Sequence, residues 1–523
     1  MNISTNKSNE NVMIFLMIRY ILLMFFCFTL NAQDCDFLAP VDTTGATILG
    51  NGTVGSVSTA NIQSALDAGG LIRFDQGVLP SSINITNELI ITREVVLDGG
   101  GLITLNGMNQ NRILHIQNPN NLVYTVSVQN LSLINGNSGT NGNQLTNSGA
   151  AIFKESGGPW QAVNLHVNNV KFYNNNAIQV HQDGGGGAIY LVGMDDVLVH
   201  NSLFSNNSGS NGGAFYSLGS KNIRITDSVF DNNHATGNNG NPGNGGNAGA
   251  IGIDGGERSF NLCRSQVINN HANAFGTGFF SVMYDDLSLT TIVDSLFENN
   301  INSGSLGLGG GAYIQGGPYI IEGSSFIENQ SPGAGGLFFG PDANGTFINS
   351  TIYGNIATQS LGGGMSISTS AIVQMLHLTI VGNQAPCDVC FAAGVSLSSN
   401  NLVSMGNSII ANNVGGNVFN PWNIRFPVSD NGGNLQFPQQ RPNGQSEPAA
   451  TVTVTWGDPL IDLPKYNGGY TPTMEIDSNS PAIHQANPSI ATITDQRGVS
   501  RYLQADIGAY EKAADNIFLN GFE

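Results

Sequence analysis

One four-residue word recurs along most of this chain and sets what it can fold into. It reads FYNN, FSNN, FDNN, VINN, FENN, FIEN, IYGN, IVGN and IANN, ending at Asn175, Asn207, Asn233, Asn270, Asn300, Asn329, Asn355, Asn383 and Asn413. Successive asparagines are 32, 26, 37, 30, 29, 26, 28 and 30 residues apart. The first eight words are each followed by a glycine-led apolar strand, such as GGAIYL, GGAFYS, GGGAYI or GGGMSI. A period near 30 with short strands and no helices between them predicts a parallel β-helix with about three strands per coil. Stacked coils sit about 4.8 Å apart, so equivalent apolar residues form columns. The repeated asparagines are expected to bond to one another as an amide ladder and to supply the left-handed bend. The variable spacing must then fall in loops such as ATGNNGNPGNGGN.

The start of the solenoid is also readable. Ser58 or Thr59 can cap a short helix in which Ile62, Ala65 and Leu66 share one face. That helix is expected to cover the open end of the first coil, where strand edges would otherwise be bare.

Composition narrows the function. Charged residues are 10% of the chain, and the formal charge is −19, with only 17 Lys and Arg. Such a surface repels phosphate backbones, so no nucleic-acid partner is expected. Residues 1–32 read as a signal peptide: Lys7 and Arg19 are basic, Tyr20–Leu30 is an apolar core, and Ala32 offers a cleavage point. No later apolar run approaches membrane-spanning length, so the mature chain has no expected transmembrane segment. Export permits disulfides, and the CxxC of Cys387 and Cys390 is expected to close a local loop. Whether Cys35 and Cys263 pair stays open.

The repeats, SLFENN followed by GGGAYI, resemble the right-handed parallel β-helix proteins of the pectin-lyase-like superfamily. In style they are similar to the repeats of polymorphic outer-membrane proteins. Further on, GDPLIDLPKYNGGYTPTMEIDSNSPAIHQ and TDQRGVSRYLQADIGAYE resemble the choice-of-anchor Q domain of bacterial surface proteins. His484, Gln485 and Ala486 stand where that family commonly has Asp-Ala-Gly, and Ala505 where it often has Cys. The resemblance implies export and attachment to the envelope. The expected layout is a signal peptide over 1–32, a linker over 33–57, the β-helix over 58–418, an anchor-type region over 419–512, and a tail over 513–523 as a sorting signal.

Parallel β-helices of this kind often cleave acidic polysaccharides, so the resemblance also implies a candidate catalytic set. Elimination needs a base, often with Ca²⁺; hydrolysis needs two spaced carboxylates. Asp195–Asp196 and Asp285–Asp286 are adjacent pairs, whose side chains point to opposite faces of a strand. The best charge cluster is Asp254, Glu257, Arg258 and Arg264, with Asp285 and Asp286 one coil on. It is read first as a solvated loop and second as a lyase site built from Asp254, Glu257, Arg258 and Asp285. The histidines show no zinc spacing. NPGNGGNAGAIGIDGG has the composition of calcium-binding repeats without their aspartates, so calcium is the only cation considered and no cofactor is assigned. The expectation is an exported, monomeric, non-catalytic solenoid binding cell-surface glycans or envelope components. The alternative is an extracellular polysaccharide lyase or glycoside hydrolase.

Overall fold

The computed structural model describes residues 35–36, 38–139, 145–156, 160, 162–240, 243–256, 259–285, 287–398 and 402–512. The signal-peptide segment 1–32 and the tail 513–523 lie outside the described residues. The chain divides into two compact units, 1–37 and 38–523, and the solenoid lies in the second. It is an all-β parallel solenoid of about thirteen coils with very little helix.

Each central coil carries four strands rather than three. Phe215–Leu218, Asn222–Thr226, Val229–Asp231 and His234–Ala235 make one coil. Each pairs in parallel with its equivalent in the next coil, beginning at Ile251, Ser259, Gln266 and His271. The first strands form an eleven-stranded sheet, the last an eight-stranded one, and the two middle strands a shared 25-stranded sheet. The unforeseen fourth strand is only two residues long. It follows the ladder asparagine, which holds it in register.

The nine aligned asparagines stand in one buried stack. Asn175 Nδ2 donates to Asn207 Oδ1 at 2.9 Å, and the same bond recurs coil by coil at 2.9–3.0 Å as far as Asn413. Asn423 adds a tenth member, accepting from Asn413 Nδ2 at 2.9 Å. Each Oδ1 also accepts the backbone N–H of the previous asparagine, and each Nδ2 a second time donates to a backbone carbonyl, as Asn300 does to Val267 at 2.8 Å. All four hydrogen-bonding sites of the amide are used.

The left-handed bend, expected on the same asparagine, belongs to its neighbour. Asn174, Asn206, Asn232, Asn269, Asn299, Glu328 and Asn412 have φ of +53° to +57° and are exposed. The left-handed residue turns its side chain to solvent, and the next residue turns its own inward. A second ladder runs one strand earlier. Ser202 N donates to Ser228 Oγ at 3.1 Å, and the pattern repeats through Ser265, Ser295, Ser324 and Ser350.

Apolar columns fill the interior. Phe172, Phe204 and Phe230 stack at 4.4 and 4.5 Å, and Phe297 on Phe326 at 4.7 Å. At the N-terminal end, helix α1 (Thr59–Ala68) buries Ile62, Ala65 and Leu66, and Ser58 forms a capping box with Asn61. Its Gln63 amide accepts from Ile90 N at 2.8 Å and donates to Ile90 O at 3.0 Å. That side chain takes the place of a missing strand at the edge of the eleven-stranded sheet.

Asn300→Asp puts a carboxylate against Asn329 Oδ1 and the Val267 carbonyl, where two donors stood. It is expected to cost about 3 kcal/mol or more in chemical denaturation, because a buried charge loses its partners. The exposed neighbour Asn299→Asp should stay within about 0.5 kcal/mol.

Candidate ligand-binding face

Chain-length variation is concentrated at one corner, between the eight-stranded and eleven-stranded sheets. Four residues join Gly209 to Ala214, whereas residues 236–249 join Ala235 to Ala250 one coil later. The glycines there let backbones touch: a Cβ on Gly213 would lie 2.1 Å from Gly249 O.

These loops fold over a column of aromatics on the outer face of the eleven-stranded sheet. Phe153, Tyr190 and Tyr216 occupy equivalent positions in successive coils, with ring centroids 6.1 and 6.0 Å apart. Gly252 follows, and the Tyr216 ring lies where its Cβ would be. Phe280, Tyr313 and Phe338 continue the column at 5.4 and 5.1 Å. Leu145, Leu218, Phe275 and Leu308 pack against it, so most of the column is buried. Arg112 closes its first end, stacked 4.4 Å over Phe153 and bonded to Glu88 at 2.8 Å. The hydrogen bond to His115, together with Arg112, holds the Glu88 carboxyl down at about 2 despite partial burial.

Among the described residues, the loops leave a cleft of about 530 Å³ lined by Val180, His181, Gln182, Asp183, Gly243 and Asn244. Its walls are fixed from below. Ser210 Oγ accepts from His181 N and donates to His181 O, both at 2.7 Å, and Asn211 Nδ2 donates to the Gln182 and Gly184 carbonyls at 2.8 and 3.0 Å. His181 Nδ1 accepts from the backbone of Asp183 and Gly184 at 3.0 and 2.8 Å, which places the neutral ring's proton on Nε2. Gln182 and Asn244 are exposed. At the far ends of the same sheet strands, Trp160 is 56% exposed and rests its ring on Gly193 and Gly219.

Of the residues weighed for a lyase, Asp254 and Asp285 lie among the described residues. Asp254 points outward from Ile251–Gly255, buried between the positions of Leu218 and Val282. Asp285 accepts from Leu287 N, Ser288 N and Ser288 Oγ at 2.7–3.0 Å, holding a turn. Glu257 and Arg258 lie outside the described residues. Arg264 stands on another sheet, where it grips Asp227 with two bonds of 2.7 Å. Among the described residues, no group of three His, Cys, Asp or Glu could hold a metal ion.

A carboxyl pair that belongs to no sequence motif lies near Arg264. Burial lifts Asp294 to about 6 against the pull of Arg264, and burial with Asp294 repulsion lifts Glu322 to about 7. Tyr470 lies over Arg264 at 5.7 Å and is 61% exposed. The sequence signal was positional: Glu322 aligns with Cys263, Val293 and Ile348, so the coils on either side carry no acid at that position.

The four cysteines among the described residues are oxidised. Cys387 and Cys390 form a disulfide, and Cys35 and Cys263 are each in the disulfide-bonded state. No helix among the described residues is long and apolar enough to cross a membrane.

No family model matches the chain, and no curated protein matches it. Among solved structures it is similar to tailspike protein 3 of bacteriophage CBA120 (11% identity, TM-score 0.39), covering 79% of this chain and 62% of the tailspike. It is also similar to PfbA, a surface adhesin of Streptococcus pneumoniae (15% identity, TM-score 0.34), covering 70% of this chain and 93% of PfbA. Neither likeness bears on the chemistry of the cleft.

Both raised carboxyls favour the protonated form in the fold. Their stabilising effect is complete below the unfolded values near 4 and is lost as pH rises through about 6 and 7. Asp294→Asn/Glu322→Gln should therefore melt with the native protein at pH 4 and be more stable by about 1–3 kcal/mol at pH 8.

Proposed function

We propose that this chain is an exported, non-catalytic β-helix that binds glycans with its loop-bearing face. The cleft between residues 180–183 and 243–244 carries the reading. It presents an imidazole N–H, amides and a carboxylate beside the exposed side chain of Val180, all held by buried Ser210 and Asn211. Sugar hydroxyls need such convergent donors and acceptors, and sugar rings stack on an aromatic such as Trp160. The repeated Asn and Ser side chains are engaged in ladders, so ligand chemistry falls to residues outside the repeat. The disulfides support an oxidising compartment. In this reading residues 1–32 direct export, 419–512 form the anchor-type region resembling choice-of-anchor Q, and 513–523 carry a sorting signal. The protein acts as a monomer, on the cell surface or shed from it, with cell-surface glycans or envelope components as partners.

One observation favours a second reading, glycoside hydrolysis. Asp294 and Glu322 are two interacting carboxyls raised to about 6 and about 7, and the exposed Tyr470 overlies the nearby Arg264.

One screen separates the two. A panel of neutral and uronate-containing glycans is titrated against the native protein, Gln182→Ala/Asn244→Ala and Trp160→Ala, with and without Ca²⁺, while reducing and unsaturated ends are followed. Binding without turnover, weakened at least tenfold in the cleft variant, is expected. Turnover that disappears in Glu322→Gln would establish the second reading, and unchanged affinity in the cleft variant would remove the cleft from the first.

A further inference from the structure

The polypeptide from Asp458 to Lys512 runs back over the outer face of the 25-stranded sheet as a strap. It adds no strand to the coils. Side-chain bonds hold it at one bend position in four successive coils, together with a backbone bond from Gly508 N to Asn407 O at 2.8 Å. Thr471 Oγ1 donates to Gly323 O at 2.7 Å, and Asn349 Nδ2 to Thr494 O at 2.9 Å. His377 Nδ1 lies 3.2 Å from Gly508 O, and Asn407 Oδ1 accepts from Asn487 N at 2.6 Å. Beneath it, Met474, Ile476, Ala482 and Ile507 share an apolar cluster with Val381, Ile409, Ala411 and Leu435. In the three coils before Gly323 the same bend position holds Asp227, Arg264 and Asp294, which are ionisable.

His377 is the one titratable residue of that column under the strap, and it is fully buried. Both ring nitrogens are committed. Nδ1 faces the Gly508 carbonyl and so carries the proton; Nε2 accepts from Asn407 Nδ2 at 3.1 Å. Asn407 cannot turn its amide over to accept instead. Its Oδ1 already takes Asn487 N, and its Nδ2 also donates to Asn487 O at 3.1 Å. A second proton on His377 would set two donors against each other and add a cation beside the buried Arg501. Arg501 is the charged group acting on His377 from the strap, with Glu511, Asp495 and Asp506 arranged around it. We propose that the strap is an acid-released latch: protonation of His377 breaks its seat at Asn407 and Gly508 and uncovers the apolar face formed by Val381, Ile409, Ala411 and Leu435.

The sign follows from linkage. Burial, then the Arg501 charge, holds His377 well below its ordinary value, so the fold binds the neutral ring while an unfolded histidine takes a proton near 6.5. The contribution is complete above about 6.5 and is lost progressively as pH falls towards the folded value.

Hydrogen exchange of the full chain, corrected for intrinsic rates, tests this between pH 7.5 and 4.5. Exchange over 458–512 should rise at least tenfold at the acid end, while the coils holding Asn207, Asn233 and Asn270 change less than twofold. His377→Gln should make strap exchange independent of pH, even if faster throughout, and His484→Gln should keep the native response. Asn407→Asp, whose carboxylate accepts from a protonated imidazole, should move release to lower pH. If the His377 variant does not fold, the His377 ring resonance of the native protein must titrate together with strap opening. Strap exchange that is equal across the range, or a pH response that persists in His377→Gln, overturns the proposal.

Discussion

A buried amide that gives two hydrogen bonds and takes two along a stack can stand only at one height above its neighbour. The asparagine ladder imposes that condition on every coil from Asn175 to Asn423. A coil displaced by a fraction of the strand spacing would strand donors and acceptors in the interior, at about 1–3 kcal/mol each. The serine ladder one strand earlier repeats the condition. The aromatic stacks at 4.4–4.7 Å fit the same rise. Insertions are therefore tolerated only where no ladder passes, at the corner from which the loops emerge. The rigid periodic part and the variable part of this protein are consequences of one interaction.

The same periodicity gives the strap its track. Bend positions recur once per coil, so any side chain placed there becomes part of a column running along the solenoid. Under the strap the column is Gly323, Asn349, His377 and Asn407; in the three coils before it, Asp227, Arg264 and Asp294. Where the strap reaches this second set, Tyr470 overlies the Arg264 guanidinium and stays exposed. The strap is itself pinned by ion pairs that are buried but internally satisfied, Arg501 with Glu511 at 3.0 Å and Arg497 with Asp495 at 2.7 Å.

The coil architecture and the capping helix were legible because both rest on short-range pattern: a period near 30 and a Ser58-led amphipathic turn. Other features were hidden for identifiable reasons. Asn423 follows Asn413 by only ten residues, so no period points to it. The serines that form the second ladder are too common in this chain to stand out singly. Strap contacts join residues about 80 to 150 positions apart, as in Asn407 with Asn487 and Thr471 with Gly323, and no local motif encodes them. The cleft depends on which loops meet across coils, and its supporting residues Ser210 and Asn211 read in sequence as ordinary turn formers. Glu322 is set apart from its column neighbours Val293 and Ile348 by its charge, which is visible once the coils are aligned by structure.

The central claim is that repeated residues build the scaffold and the non-repeated loops recognise the ligand. Its most direct test replaces residues 236–249 with the four-residue connection Ser210–Gly213 that joins the same strands one coil earlier, followed by thermal unfolding and glycan titration of the same sample. The account predicts cooperative unfolding within a few degrees of the native protein and loss of glycan affinity by at least tenfold. A variant that keeps full affinity would contradict the assignment of binding to the loops, and one that loses the solenoid would contradict the separation of loop from ladder.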